Sequence, residues 1–594
     1  MPESIYDYFK SSSDKFSNKT ALMYKENDKY KNISYAQLRK SVDALAQNLQ
    51  ILGINKGDKI AIYSYNRPEW VIADLAILKL GAIVVPIYHV LSPFYVKYIL
   101  NDAQAKLLFI ENSALFDNFK SIHTELTSLK NIIVFDDKEL ITDIKYTKFT
   151  DIIKAAAPEN SSVSNVVAND IATIVYTSGT TGEPKGAVLT HHNIISNVLS
   201  GIRLFDINSN DVIMSYLPLS HMFERTCGYY TVILSGGSIG YAENISTIVQ
   251  DVQKIKPTLL IALPRVLEKA YQTAVDKINQ GSGLSRKLVL SAIKNLNRYI
   301  TSKHRKLPLP LSLKMNRMIF NKLVAKKFHK IAGGNLRLVV SGGAPLNKRI
   351  GKIYYILGFN ICEGYGLTET SPVISATTQQ DNKIGTVGKP FPDVEVKIGD
   401  NSEILSRGPN LMLGYYNKPE ETARAIDQDG WFHTGDQGKF DERGNLVITG
   451  RIKELIVTSY GKKIPPVPIE EKLVKTGYID QAIIYGDNRS YIVALIVPNQ
   501  KAIEYYAKTN NINYTDYPNL LTQNAITDFI KATINEACKN LAPYEKIKEF
   551  TLLSEGFTID NGLLTPTLKL RRNRVFEKYQ SLIEEIYARA KKEN

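Results

Sequence analysis

The sequence predicts an α/β fold: a large N-terminal domain of layered αβ sheets with a small β-rich subdomain, then a smaller α+β C-terminal domain. Three observations predict it. Runs rich in β-branched residues alternate with amphipathic helical patterns up to about residue 390. From Val387 to Gly450 the pattern changes to short strands separated by Gly/Asp turns, as in DQDGWFHTGD and DERGNLVITG. The 594 residues also exceed what one compact core requires.

In chain order, the runs KIAIYSY (59–65), AIVVPIY (82–88), KLLFIE (106–111), NIIVFD (131–136) and IATIVYT (171–177) are predicted strands. The most apolar stretch, Val71 to Val96, is broken by Asp74, Lys79 and Pro86 and reads as buried helix and strand, not a membrane span. YYTVIL (229–234) reads as a strand before the turn Gly236–Gly237. Beyond Arg451, strands are expected near QAIIYG and YIVALIVP, followed by helices. The domains are therefore set at 1–450 and 451–594, with Gly450-Arg451-Ile452-Lys453 as the short connection.

Composition excludes several classes. With 44% apolar and 22% charged residues the chain is globular, not disordered. Cys227, Cys362 and Cys538 are far apart and form no CxxC pair, which fits a reducing cytosol and argues against a disulfide framework or a zinc site. The N-terminus carries early acids and no apolar core of a signal peptide, so a cytoplasmic location is expected. The net charge of +15 is concentrated: Lys277 to Lys330 holds 14 Lys/Arg and no Asp or Glu. Apolar residues recur there at helical spacing, so this is either a solvated basic face or a surface for anionic lipid on the inner face of the membrane. Lipid contact is worth about 1 kcal/mol per basic residue. No base-reading motif accompanies the charge, and no nucleic-acid partner is expected. Oligomeric state is not readable.

The segment Tyr176–Gly186 reads YTSGTTGEPKG. Small residues let backbone N–H groups approach a phosphate, the hydroxyls add donors, and Lys185 supplies a point charge. Lys185 is followed by Gly186 and a β-branched run, not by Ser/Thr and a helix, so this is not the loop of kinases and motors. Gly236-Gly237-Ser238-Ile239-Gly240 matches GxSxG formally, but YAEN follows it instead of a helix, and no serine hydrolase is inferred.

The loop resembles the phosphate-binding signature of the adenylate-forming superfamily, which includes acyl-CoA synthetases, peptide-synthetase adenylation domains and luciferases. Further segments follow in the family's order: LPLSHMFER (217–225), SGGAPL (341–346), EGYGLTET (363–370), HTGD (433–436), GRIKELIVTSYGKKIPPVPIE (450–470) and LTPTLKLRR (564–572). The forms LSHMFER, PVPIE and LTPTLK resemble the bacterial long-chain fatty acid–CoA ligase branch. The resemblance implies ATP, Mg2+ and CoA as cofactors, a fatty acid as substrate, and a C-terminal domain that moves about a hinge at Lys453.

By the same resemblance, Thr177, Ser178, Gly179, Thr180, Thr181 and Gly182 line the phosphates with Lys185. Gly342, Gly343, Ala344 and Pro345 approach adenine, and Gly364, Tyr365, Gly366, Leu367 and Thr368 form the segment that stacks on it. Glu369 and Thr177 are the implied magnesium ligands, and Asp436 and Arg451 hold the ribose. Lys569 is the implied adenylation lysine, in TLK where many relatives have SGK. His221 either lies beside the carboxylate pocket or is a satisfied core histidine, and Arg225 falls where relatives have an acyl-tunnel gate. Tyr460 stands where glycine is usual, and Lys462 and Lys463 either meet CoA phosphates or are solvated. The chemistry expected is attack of a carboxylate on the α-phosphate of ATP, then of a thiol on the acyl-adenylate. Two rivals are an acyl-AMP ligase serving a carrier protein and an inactive lipid- or nucleotide-binding scaffold.

Overall fold

A computed structural model describes residues 3–155, 165–177, 184–244, 247–279, 325–452, 455–460, 462–558, 560–564 and 570–592. Two compact units result. The larger comprises Met1–Lys397, Leu405–His433 and Phe440–Val447, and the smaller Ile398–Ile404, Thr434–Lys439 and Ile448–Asn594. Asp436 and Arg451 therefore belong to the small unit, whereas Lys185 and Glu369 belong to the large one.

The large unit is built on two sheets. One has nine strands in the order Lys389–Pro390, Val373–Ala376, Ile361–Gly366, Leu338–Ser341, Leu259–Ala262, Val212–Ser215, Ser238–Tyr241, Thr20–Glu26, Lys29–Ser34. From Ile361–Gly366 to Thr20–Glu26 neighbours run parallel. The other has eight strands, Gly414–Tyr415, Lys185–Thr190, Ile171–Thr177, Ile83–Ile87, Lys59–Tyr63, Leu107–Ile110, Asn131–Val134, Thr147–Lys148. Its centre is parallel, and Ile171–Thr177 turns back antiparallel on Lys185–Thr190. The five β-branched runs expected in this half are all strands of this second sheet, buried by helices such as Pro68–Lys79. A parallel strand covered on both faces needs continuous apolar sequence, which made these runs legible.

YYTVIL is not a strand. Phe223–Tyr230 is a π-helix that continues directly into the α-helix Thr231–Leu234. A short apolar run buried on all sides does not reveal its period, and here burial inside the core decided for helix. The turn Gly236–Gly237 does follow, and the Ser238 hydroxyl donates to Thr20 O at 2.6 Å.

The small unit contains the three-stranded sheet Ile479–Tyr485, Ile492–Pro498, Ile547–Leu552 and a two-stranded ribbon, Ile456–Val457 with Lys463–Ile464. Its core joins Ile469 and Leu473 to Ile492, Ile496, Ile526 and Ile530. Among the described residues no helix is long and apolar enough to cross a membrane. Of the basic segment Lys277 to Lys330, residues 280–324 lie outside the described residues.

Candidate active site

The loop between Ile171–Thr177 and Lys185–Thr190 leaves and returns at one edge, because Tyr176 faces Gly186 and Thr177 faces Lys185 across the ladder. Tyr176 donates to Asp102 Oδ2 at 2.5 Å and lies across Gly186, where an added Cβ would sit 3.1 Å from the ring and 2.6 Å from Ile174. Glycine is required there by space. Ser178, Gly179, Thr180, Thr181 and Gly182 lie outside the described residues.

At the mouth of this hairpin the Lys185 ammonium ion-pairs with Glu421 and stands 5.2 Å from the Tyr415 ring centroid. Tyr415 arrives there because Gly414–Tyr415 pairs with Ala187 and Val188. Its hydroxyl donates to Glu369 Oε1 at 2.9 Å. Burial and the neighbouring Glu369 carboxylate push the Tyr415 phenol well above its ordinary pKa, so it remains a donor. Glu369 is buried in the 3-10 turn Thr368–Thr370, and Met412 N–H donates to its carbonyl at 2.8 Å. Tyr415 thus connects Lys185 with Glu369, and Thr177 is the cross-strand neighbour of Lys185.

The second group lies at the carboxyl edge of the nine-stranded sheet, the usual place for ligands in parallel sheets. Ser341 pairs with Glu363, so the turn Gly342–Pro345 emerges beside Gly364 and Tyr365. Gly343, Ala344 and Pro345 are exposed, Tyr365, Leu367 and Thr368 half-buried. A Cβ on Gly366 would fall 1.7 Å from Pro372 O, so only glycine permits the bulge beyond Tyr365. Phe223 packs on Gly342, and two residues earlier His221 Nδ1 accepts from Phe223 N–H at 3.3 Å. With Nδ1 an acceptor, neutral His221 carries its proton on Nε2. Arg225 is fully buried, with Asp74, Thr173 and Tyr230 as its partners.

In the small unit, Arg451 Nε donates to Asp436 Oδ1 at 2.6 Å. Thr434 Oγ1 accepts from Asp436 N–H at 3.1 Å and donates to Ile404 O at 2.7 Å, which fixes the TGD turn. Arg572 forks onto the Glu470 carboxylate, and Glu470 also accepts from Ile484 N–H at 2.8 Å. This pair ties the PVPIE helix Pro466–Val474 to the end of LTPTLKLRR. Lys453 and Lys569 lie outside the described residues, as does the Lys463 side chain. Tyr460 is exposed, and the Lys462 ammonium stands 5.6 Å from the Tyr544 ring.

Among the described residues no three carboxylate, imidazole or thiol groups converge as a metal cage. Glu369 with a neighbouring hydroxyl fits a cation that takes one or two protein oxygens and completes its shell with phosphate and water, the habit of Mg2+. Sequence reasoning missed Tyr415, Glu421 and the Glu470–Arg572 fork. Glu421 is 236 residues from Lys185 and Tyr415 is 46 from Glu369, so no local pattern marks either pair.

Known proteins match most of the chain. A family model described as AMP-binding enzyme matches residues 9–416, and one described as AMP-binding enzyme C-terminal domain matches 453–591. A long-chain-fatty-acid–CoA ligase of Mycobacterium bovis is 34% identical over 94% of this chain and 92% of its own. Long chain acyl-CoA synthetase 6, peroxisomal, of Arabidopsis thaliana is 31% identical over 94% of this chain and 82% of its own. Among solved structures, the anthranilate CoA ligase AuaEII with anthranoyl-AMP superposes at a TM-score of 0.76, with 20% identity over 98% of this chain and 99% of its own. The adenylation domain of a carboxylate reductase from Mycobacterium chelonae gives 0.77, with 21% identity over 98% of this chain and 91% of its own.

Proposed function

The chain belongs to the AMP-binding enzyme family, and from that premise we propose that it is a long-chain fatty acid–CoA ligase. It converts fatty acid, ATP and CoA into acyl-CoA, AMP and pyrophosphate. The observation that carries the reading is that Tyr415 joins Lys185 to Glu369, with Thr177 facing Lys185 across the strand pair. This arrangement combines a hydroxyl, a cation and a carboxylate at the mouth of a glycine-rich hairpin, the set that a triphosphate and its counter-ion require.

In the first step a carboxylate oxygen bonds to the α-phosphorus and the bond to pyrophosphate breaks. In the second a thiol bonds to the acyl carbonyl, AMP leaves, and the thiol proton is lost. Two anions meet in the first step, so the cations must act where charge builds up in the transition state. Lys185 neutralises phosphate oxygens, Lys569 bridges the attacking carboxylate and the α-phosphate, and His221, its Nδ1 occupied by Phe223 N–H, presents Nε2 towards the substrate carboxylate. Tyr365 and the Gly342–Pro345 turn receive adenine, while Asp436 and Arg451 hold the ribose. When bound at Glu369 and Thr177, Mg2+ lowers the charge on the phosphate oxygens. The unit beyond Arg451 rotates about Lys453 between the two steps, a dihedral change that a single connecting residue can absorb. The protein works in the cytoplasm, and the basic segment Lys277 to Lys330 brings it to anionic lipid.

The test is fatty-acid-dependent ATP–pyrophosphate exchange with acids of graded length, followed by the supply of free CoA or a carrier protein to the same adenylate. Exchange with long-chain acids and release by CoA are expected. Exchange with none of the acids refutes the enzyme, and release by carrier protein alone identifies an acyl-AMP ligase. Glu421 competes with phosphate for Lys185 across a half-exposed ion pair. Glu421→Gln is therefore expected to lower KM for ATP by about threefold with kcat little changed, and an unchanged or higher KM contradicts that competition.

A further inference from the structure

The strongest unexplained feature of the large unit is a group of buried oxygens without well-formed hydrogen bonds. Glu224 is 1% exposed and lies in the π-helix Phe223–Tyr230; among the described residues neither carboxylate oxygen has a well-formed hydrogen bond, and the Ser215 hydroxyl is the polar group beside it. The Tyr241 hydroxyl is likewise unpaired among the described residues, and the Tyr216 hydroxyl has only the Leu263 backbone N–H beside it, short of a well-formed hydrogen bond. Ser215 and Tyr241 face each other at the carboxyl ends of adjacent parallel strands, and Tyr216 follows directly. The Glu224 carboxyl is close enough to influence ionisation of Tyr216, Cys227 and Tyr241. Arg225, next along the chain, turns to Asp74. Room for the acid is built in, since a Cβ on Gly228 would lie 3.0 Å from the Glu224 carboxyl carbon.

Buried oxygens are almost always hydrogen-bonded, and leaving them unpaired costs their full desolvation. A π-helix is itself a costly element that recurs at functional sites. Burial pushes Glu224 up to about 8, partly offset by the neighbouring Ser215 hydroxyl. At neutral pH the carboxyl is therefore uncharged and both donates and accepts. Beside two phenols, it complements a hydroxyl group, not an anion or an ammonium.

We propose that Glu224, Tyr216 and Tyr241 form a hydrogen-bonding subsite for a neutral hydroxyl group alongside the acyl chain. The subsite rests on the ligase reading given above and lies three residues beyond His221. The hydroxyl is carried either by a hydroxylated acyl substrate or by an ordered water that the chain packs against. A site built to hydrogen-bond a hydroxyl discriminates strongly against the analogue lacking it, because its own groups are then left unpaired.

The experiment compares wild type, Glu224→Gln and Glu224→Leu in pyrophosphate exchange and in calorimetric binding, using a straight-chain acid and monohydroxylated acids of the same length. If the hydroxyl comes from the substrate, wild type prefers one hydroxylated acid by about tenfold or more; Glu224→Gln keeps the preference and Glu224→Leu loses it. If water supplies the hydroxyl, wild type shows no preference, and Glu224→Leu alone loses about tenfold in kcat/KM on the plain acid. Equal behaviour of all three folded proteins on every acid overturns the proposal. Exchange absent in wild type, with discrimination retained in calorimetry, sinks the ligase reading and leaves the subsite standing.

Unfolding supplies an independent check. Unfolded Glu224 ionises near 4.5, whereas the folded group keeps its proton to about 8. Folding is therefore penalised progressively above pH 4.5, and fully above pH 8. Glu224→Gln should raise the melting temperature, more at pH 8 than at pH 5. An equal shift at both pH values means that Glu224 is charged in the fold, and overturns the neutral subsite.

Discussion

Lys569→Ala is expected to reduce fatty-acid-dependent pyrophosphate exchange by about 10^3 or more, equivalent to about 4 kcal/mol of transition-state stabilisation. The size follows from the chemistry of the first step. A carboxylate and a phosphate, both anionic, must come within bonding distance, and a cation between them acts chiefly as the new bond forms. The second step has no such requirement, since a thiol attacks an acyl carbonyl and the departing AMP oxygen already carries its own stabilisation. Acyl transfer to CoA from chemically prepared acyl-adenylate should therefore fall by less than about tenfold in the same variant. Parallel loss of both half-reactions would show that Lys569 supports the fold of the small unit instead. A second control lies in that unit: Arg572 and Glu470 anchor the chain just beyond Lys569. Far-UV spectra and melting of Lys569→Ala should match wild type.

What the sequence made legible follows from distance along the chain and from burial. The five runs from Lys59 to Thr177 became neighbouring strands because continuous β-branched sequence is what a doubly covered parallel strand requires. Asp436 and Arg451, 15 residues apart in successive motifs, meet at 2.6 Å. The helix through YYTVIL, π up to Tyr230 and α from Thr231, was not legible: TVIL has the composition of a strand, and only its packing in the core makes it helical. Nor was the setting of Lys185. A lysine beside a glycine-rich loop announces a phosphate, but its ion pair with Glu421 and its approach to Tyr415 arise from the strand Gly414–Tyr415 joining the far edge of the second sheet. Glu224 gave no signal beyond its place in the FER triplet, because one acid among apolar residues looks the same whether it is solvated or buried.

Arg225→Ala is expected to destabilise the large unit by about 3–5 kcal/mol, the cost of leaving a buried partner charge uncompensated. Arg225 and Asp74 are both 0% exposed. The guanidinium donates to Tyr230 Oη at 3.0 Å and to Thr173 Oγ1 at 2.9 Å, and Asp74 accepts from Tyr229 and Tyr230 at 3.1 and 2.8 Å. Trp70 lies 5.4 Å from the same guanidinium. Asp74 entered the sequence reading only as a charge interrupting an apolar stretch; it sits in the helix Pro68–Lys79, 151 residues from Arg225. The network joins a strand of the second sheet, the helix covering it, and the π-helix that leaves the first sheet. A gate at Arg225, as the resemblance implies, has to swing, which here means breaking every one of these bonds inside the core. The two roles separate by measurement. An anchor predicts a lower denaturation midpoint for Arg225→Ala, and substantial recovery in the double variant Asp74→Leu/Arg225→Met, because well-packed apolar groups replace a buried ion pair at little cost. A gate predicts unchanged stability with an altered chain-length profile in the exchange assay, and that result would refute the anchor.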